Sequence, residues 1–338
     1  MKKNSFLILI VLGFCSCQKE LSNTETNPQV DVYVAGGEGR VAKYWKNGQA
    51  TALTDGTIEA SPFSIFVSGN DVYVCGAQWD GIGGSAVAKY WKNGQPMSLT
   101  DGRRYSVAFS IAVVGNDVYV AGNDGSEAEY WKNGHATTLP EGIWQSYAES
   151  ITVVGSDVYV AGEDGDIAKY WKNGNPVNLT DGTTFAAATS IAVVGTDVYV
   201  AGVEGFNKIA KYWKNGQPIT LTDGTKDAWA SSIAVAGSDV YVAGTVYNGM
   251  SVNGRQNGIA TYWKNGVAVN LTDGTKNADA ASIAVSGIDV YVAGEEQDGK
   301  LINGEPAWVA KYWKNGEQVK LTDGSSHAGA TSIFLENK

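Results

Sequence analysis

Residues 190–202 read SIAVVGTDVYVAG, and variants of this stretch recur along most of the chain. It is followed by AKYWKNG at residues 210–216 and by LTDG at residues 221–224. The Asp-Val-Tyr-Val part of the unit begins at residues 31, 71, 117, 157, 197, 239 and 289. Self-similarity with a period of about 20 to 50 residues is the signature of a repeat architecture. The chain beyond residue 30 is therefore predicted to be built from seven copies of one unit.

Only one interval within the unit varies in length. Tyr-Trp is followed by Leu-Thr (once Leu-Pro) after 9 residues, Leu by Ser-Ile after 11, and Ser by the next Asp-Val-Tyr-Val after 7. The distance from Asp-Val-Tyr-Val to Tyr-Trp ranges from 13 to 23 residues. Each unit thus has 40 residues plus an insertion of up to 10, always at the same point.

Four short strands, A to D, are predicted in each unit. A two-residue turn with Gly at its first position joins strand A (Ser-Ile-Ala-Val-Val) to strand B (Asp-Val-Tyr-Val), which is the pattern of a type II′ turn. Asn-Gly joins strand C (Ala-Lys-Tyr-Trp-Lys) to strand D, which is the pattern of a type I′ turn. Such a sheet buries its faces only by stacking on other sheets, so we expect an all-β, seven-bladed β-propeller. Residues 332–335 are expected to supply strand A of blade one and close the ring.

The composition excludes several classes of function. The 338 residues carry a net charge of −10 and include only two His and three Cys. Without a basic excess, nucleic acid is not expected as a partner. With so few His and Cys, a zinc site or His-based catalysis has few candidate residues. We predict no metal and no cofactor.

The N-terminus has the form of an export signal. Lys2 and Lys3 precede a short apolar run, which ends before Ser16 and Cys17. A positive region followed by a short apolar region is typical of a secretory signal and is too short for a membrane span. The end of the run resembles a bacterial lipobox, which predicts lipidation of Cys17. The alternative is a plain secretory signal cleaved nearby.

These features divide the chain into three parts: a signal peptide (1–16), a lipidated Cys with a flexible tether (17–30), and the propeller (31–338). The protein is expected to be exported and anchored by lipid to the outer membrane, on its periplasmic or its outer side. Motifs such as SIAVVGTDVYVAG, AKYWKNG and LTDG resemble those of bacterial seven-bladed β-propeller repeat proteins, many of them lipoproteins. This resemblance covers residues 31–338 and implies the fold without implying any chemistry.

The insertions all lie in B–C connections, and the longest are 77–88, 245–260 and 295–310. In an up-and-down blade the B–C and D–A connections share one face, which we call the variable face. Long loops on a rigid scaffold commonly bind ligands. The positions three and five residues before each Ser-Ile also vary, whereas those two and four before it are mostly small. The candidate ligand-binding residues on this face are Glu59, Trp79, Tyr105, Trp144, Tyr147, Phe185, Asp227, Trp229, Tyr247, Asp279, Trp308 and His327. The alternative is that these positions drift because they are solvated.

The repeated residues are interpreted structurally. The Tyr-Trp tryptophans are expected to pack between blades, and the recurrent Asp residues to fix turns rather than to bind calcium. Cys75 is expected to be a small buried thiol. We therefore expect a monomeric, non-catalytic binding or scaffold module whose partner is a protein or glycan of the cell envelope. The alternatives are a multivalent lectin that stacks sugars on Tyr-Trp in every blade, or a glycan-active hydrolase or lyase using carboxylates such as Asp227 and Asp279.

Overall fold

The computed structural model describes residues 29–140, 145–252 and 255–338. Within these residues the strands form seven four-stranded antiparallel sheets, the blades of a β-propeller. The fold class predicted from the repeats is confirmed. The predicted signal peptide, Cys17, the tether up to residue 28 and Trp144 lie outside the described residues.

The strands follow the repeat in chain order. Blade one contains β1 (Val30–Glu38), β2 (Val41–Lys46) and β3 (Gln49–Ala52), blade two β4 (Ala60–Ser68), β5 (Asp71–Gln78), β6 (Val87–Lys92) and β7 (Gln95–Ser98), and blade three β8 (Ser106–Val114), β9 (Asp117–Asp124), β10 (Glu127–Lys132) and β11 (His135–Thr138). Blade four contains β12 (Ser146–Val154), β13 (Asp157–Asp164), β14 (Ile167–Lys172) and β15 (Asn175–Asn178), and blade five β16 (Ala186–Val194), β17 (Asp197–Glu204), β18 (Ile209–Lys214) and β19 (Gln217–Thr220). Blade six contains β20 (Ala228–Ala236), β21 (Asp239–Val252), β22 (Arg255–Lys264) and β23 (Val267–Asn270), and blade seven β24 (Ala278–Ser286), β25 (Asp289–Ile302), β26 (Glu305–Lys314) and β27 (Glu317–Lys320). The last strand is β28 (Ala328–Asn337).

The ring closes through the two ends of the propeller domain. Strand β28 pairs with β1 from Val30 opposite Asn337 to Glu38 opposite Ala328, so the C-terminus supplies the inner strand of blade one. Hydrogen bonds between neighbouring inner strands continue around the ring. In every blade the Ile amide of Ser-Ile donates to the Ser hydroxyl oxygen of the preceding blade, over 3.1 to 3.4 Å. The Ser of the motif therefore joins blades to one another.

The turns have the conformations that their residues predict. Asn215 and Gly216 both have positive φ, 51° and 78°, as a type I′ turn requires. Gly195 has a φ of 60° at the first position of its A–B turn, which agrees with the predicted type II′ turn. Across the two turns, Asp197 accepts hydrogen bonds from Asn215 Nδ2 at 2.8 Å and pairs with Lys214 Nζ at 2.9 Å. The predicted role of this Asp in fixing turns is confirmed.

The long insertions differ from the sequence-based expectation. In blades six and seven they do not form loops, because β21 with β22 and β25 with β26 continue pairing as long hairpins beyond the sheet. The pairing resumes after an irregularity between Tyr247 and Ser251 in β21, and between Gln297 and Leu301 in β25. Ten added residues extend each of two antiparallel strands by five, which allows new ladder hydrogen bonds to form. Blade two, with six added residues, instead has a loop with a 3-10 turn at Ile82–Gly84.

The core lies between the blades. The Trp side chain of each Tyr-Trp pair is at most 2% exposed. Trp91 of blade two, for example, belongs to the cluster formed with Tyr33, Ala35 and Leu53 of blade one. The predicted packing role is confirmed, and these indole rings are not available as open stacking platforms for sugars. Cys75 is fully buried, as predicted, and burial raises the pKa of its thiol.

Candidate functional site

The B–C and D–A connections meet on one face, as predicted. In each blade a backbone amide in the B–C connection donates to the carbonyl of the residue five places before Ser-Ile. Examples are the Trp79 amide to Glu59 at 3.0 Å and the Tyr247 amide to Asp227 at 2.9 Å. These hydrogen bonds give the backbone the same position in every blade. The side chains of the variable face can therefore differ between blades while the backbone conformation stays the same.

Aromatic rings form two series around the inner edge of this face. Phe63 lies 5.5 Å from Phe109, which lies 6.5 Å from Tyr147, measured between ring centroids. Phe185 lies 6.4 Å from Trp229 in an edge-to-face arrangement. Three of these five rings were predicted from the variable positions. The two series put apolar surface at the mouth of the ring, where aromatic side chains commonly anchor ligands.

Sequence reasoning missed Phe63 and Phe109. Each stands immediately before Ser-Ile, where the A strand carries a bulge against strand B. A bulge interrupts the alternation of side chains, so this position joins the variable ones instead of the core. The signal was present in the sequence, since the seven residues at this position differ widely: Phe63, Phe109, Glu149, Thr189, Ser231, Ala281 and Thr331.

Carboxylates with raised pKa values lie near these rings. Burial raises the pKa of Glu149 to about 7, and burial together with the nearby Glu149 raises that of Glu163 to about 8. In blade seven, burial and the neighbouring Asp279 raise the pKa of Glu295 to about 7, and burial also raises that of Asp279. Only Asp279 was predicted as a site residue. The others come from the bulge position and from the position after the Val-Ala-Gly of strand B, which the sequence alone did not single out.

Two predicted residues line a cleft on the blade four side of the face. This cleft, which we call the four–five cleft, has a volume of about 530 Å³. Its lining includes Tyr147, Phe185, Glu163, Asp164, Asp166 and Asp181. No Lys, Arg or His is among the described residues that line it. The cleft thus combines two aromatic side chains with an excess of negative charge.

A second cavity, which we call the blade-one cavity, lies between blades seven, one and two, where the insertions predicted a site. Its volume is about 290 Å³, and its lining includes Trp308, His327, Glu295 and Phe63. Gly329 makes room for it, because a Cβ there would lie 2.2 Å from Glu295 Oε2. The structure therefore brings the predicted Trp308 and His327 together beside an unpredicted carboxylate.

The remaining predicted residues do not form one continuous site. Tyr105 is 54% exposed, and Glu59 is exposed next to Trp79 in blade two. Asp279 accepts a hydrogen bond from Thr245 Oγ1 at 3.0 Å. Burial raises the pKa of Tyr247, as do the charges of Asp279 and Asp227 on either side of it. The candidates therefore fall into separate clusters around the mouth of the ring.

The opposite face carries charges that are satisfied within the protein. Each Asp of Asp-Val-Tyr-Val forms an ion pair with the Lys after Tyr-Trp. On the variable face, the Asp of Leu-Thr-Asp-Gly in each D–A connection accepts hydrogen bonds from the residue two places on, as Asp223 does from the Thr225 amide at 3.0 Å and hydroxyl at 2.7 Å. In the part of the chain that the structure describes, no three His, Cys, Asp or Glu side chains are grouped to hold a metal ion. Nor does any helix among those residues have the length and apolar character needed to span a membrane.

The sequence matches no model of a known protein family and no curated protein. Among solved structures, the chain is similar to one titled "Crystal structure of Nidogen/Laminin Complex". The TM-score is 0.43 at 10% identity, and the match covers 65% of this chain and 89% of that chain.

Proposed function

We propose that the protein is a lipid-anchored, non-catalytic binding module of the bacterial cell envelope, which captures a protein or glycan on its variable face. The observation that carries this proposal is the difference between the two faces. The opposite face pairs its repeated charges within each blade, whereas the variable face presents aromatic rings, two cavities and carboxylates such as Glu163 and Glu295. Concave sites with a few converging polar groups are the usual places for ligands.

Burial of the repeated Trp rings argues against a lectin with one identical site in each blade. A sugar-stacking platform requires an accessible ring, and these rings are at most 2% exposed. The accessible aromatic residues, such as Trp229 and Trp308, each occur in one blade only. The proposed site is therefore built from residues that differ between blades, and we expect few binding sites per chain.

A glycan array and a pull-down from envelope extract, both with the full chain in mild detergent, test the binding function. Trp229→Ala should weaken capture of the retained ligand by at least about ten-fold, because aromatic anchors dominate interface energies. His135→Ala is the matched control, since His135 is exposed after the Asn-Gly turn on the opposite face. An equal loss in both variants, or no retained ligand, would contradict the proposal.

The anchor is tested separately. Cells grown with radioactive palmitate should label the protein, and Cys17→Ser should remove the label and release the chain from the membrane fraction. Ser16→Thr keeps a small residue before the cysteine and should leave labelling in place. Unchanged labelling of Cys17→Ser would exclude the proposed anchor.

A further inference from the structure

Several residues that line the four–five cleft are replaced at the equivalent place between blades five and six, where Ala187 corresponds to Tyr147 and Asp227 to Phe185. Asp166, just before β14, corresponds to Lys208 before β18. Glu163 corresponds to Val203, and Ala187 of blade five corresponds to Trp229 of blade six. The strands of the two blades repeat, although the B–C connection of blade five is two residues longer than that of blade four.

Between blades five and six the chain supplies its own cation. Lys208 Nζ lies 5.3 Å from the centroid of the Trp229 ring. A cation over an aromatic face is a favourable arrangement. The cation–aromatic pair at this place is therefore formed by residues of the protein itself.

Between blades four and five the chain places acids where the next repeat has a cation and a Trp ring. Ala187 stands at the position of Trp229, and a cleft of about 530 Å³ lies between the two blades. Its aromatic side chains are Tyr147 and Phe185, and the position of the internal cation is taken by Asp166. The cleft therefore has two aromatic rings and several carboxylates, and no cation among the described residues that line it.

The negative charge of the cleft is only partly compensated. Asp164 pairs with the buried Lys169, with Oδ2 2.6 Å from Nζ. Glu163 has no ion pair or hydrogen bond with any residue that the structure describes, and it lies close to a second carboxylate, Glu149. Glu163 and Glu149 hold protons at neutral pH because their pKa values are raised, and a cation bound beside them would favour their ionised forms. Burial of part of their surface strengthens the attraction between such a cation and the carboxylates.

We propose that the four–five cleft binds an arginine or lysine side chain presented by a basic peptide segment of a protein partner. This inference rests on the proposed binding function and selects a protein over a neutral glycan as its ligand. A guanidinium group suits the cleft best, since it stacks on aromatic rings and forms paired hydrogen bonds with a carboxylate. Tyr147 and Phe185 provide the rings, and Glu163 and Asp166 provide the acceptors.

Fluorescence anisotropy with the full chain in mild detergent tests this inference. The probes are a labelled (Gly-Gly-Arg)₃ peptide, the same peptide with Gln in place of Arg, and labelled chitohexaose as the neutral glycan. We expect the Arg peptide to bind and the Gln peptide to bind at least about ten-fold more weakly. Glu163→Gln and Asp166→Lys should each weaken binding of the Arg peptide by at least about ten-fold.

Ala187→Trp introduces the ring that the next repeat has at Trp229 and should abolish binding by obstructing the cleft. Glu305→Gln, on an exposed acid at the tip of the blade seven hairpin, removes the same charge elsewhere and should change binding less than about two-fold. Equal effects of Glu305→Gln and Glu163→Gln would overturn the inference, because binding would then follow overall charge. Chitohexaose binding that is lost in Ala187→Trp, without binding of the Arg peptide, would overturn the inference and support the proposed function. An array and pull-down that retain no ligand would overturn both.

Discussion

Replacing Glu163 by Gln removes a carboxyl group whose ionisation the fold disfavours. The pKa of Glu163 is about 8 in the folded protein, compared with 4.5 for an ordinary Glu. Between these values the folded chain keeps a proton that the unfolded chain has released, so stability falls as the pH rises through this window. The full shift corresponds to about 5 kcal/mol. Because solvent reaches part of the carboxylate, we expect about 1 to 2 kcal/mol.

Thermal unfolding followed by circular dichroism at pH 5 and pH 8 measures this effect. Glu163→Gln should unfold at the same temperature as the parent chain at pH 5 and about 2 to 4 °C higher at pH 8. The matched control is Glu204→Gln in the next blade, which removes an acid paired with Lys211 and should give no gain at either pH. An equal gain for Glu163→Gln at both pH values would refute the reasoning, as would the same gain for Glu204→Gln.

Three further predictions concern the ring itself. Gly202→Ala should lower the free energy of unfolding in urea by about 3 kcal/mol or more, because its Cβ would lie 2.0 Å from a carbonyl oxygen. Gly205→Ala is the control: its Cβ would meet open space, but the φ of 89° is unfavourable for Ala, so the loss should be only about 1 kcal/mol. Equal losses in the two variants would contradict this account. Ser190→Ala should cost about 1 kcal/mol by leaving the Ile233 amide without its acceptor, whereas Ser190→Thr keeps a hydroxyl and should recover part of the loss. Deleting residues 328–338 removes the inner strand of blade one, so a protease should then degrade the whole propeller. A protease-resistant core of blades two to seven would show that the fold does not require ring closure by this strand.

The sequence predicted which face of the propeller carries the candidate site, but not which side chains contact one another there. The variable positions identified Tyr147, Phe185, Trp308 and His327, and the structure places them in two cavities. The sequence did not identify Glu163, because a single acid after Val-Ala-Gly looks the same as an acid at an unconstrained, solvent-exposed position. Its significance comes from Tyr147 opposite it in the sheet register and from Glu149 nearby.

The sequence by itself determined the number of blades, the four strands of each, both hairpin turns, the closure by the C-terminal strand and the residues that pack between blades. These features follow from local chemistry repeated seven times, since turn conformation and side-chain alternation depend on neighbours in the chain. Only the tertiary structure decided that the longest insertions extend strands, that the bulge residues join the variable face, and that Tyr147 and Phe185 share a cleft with Glu163 and Asp166. These features depend on which side chains of adjacent blades contact each other. Such residues are about 40 positions apart in the sequence, so the local sequence pattern does not predict their contacts.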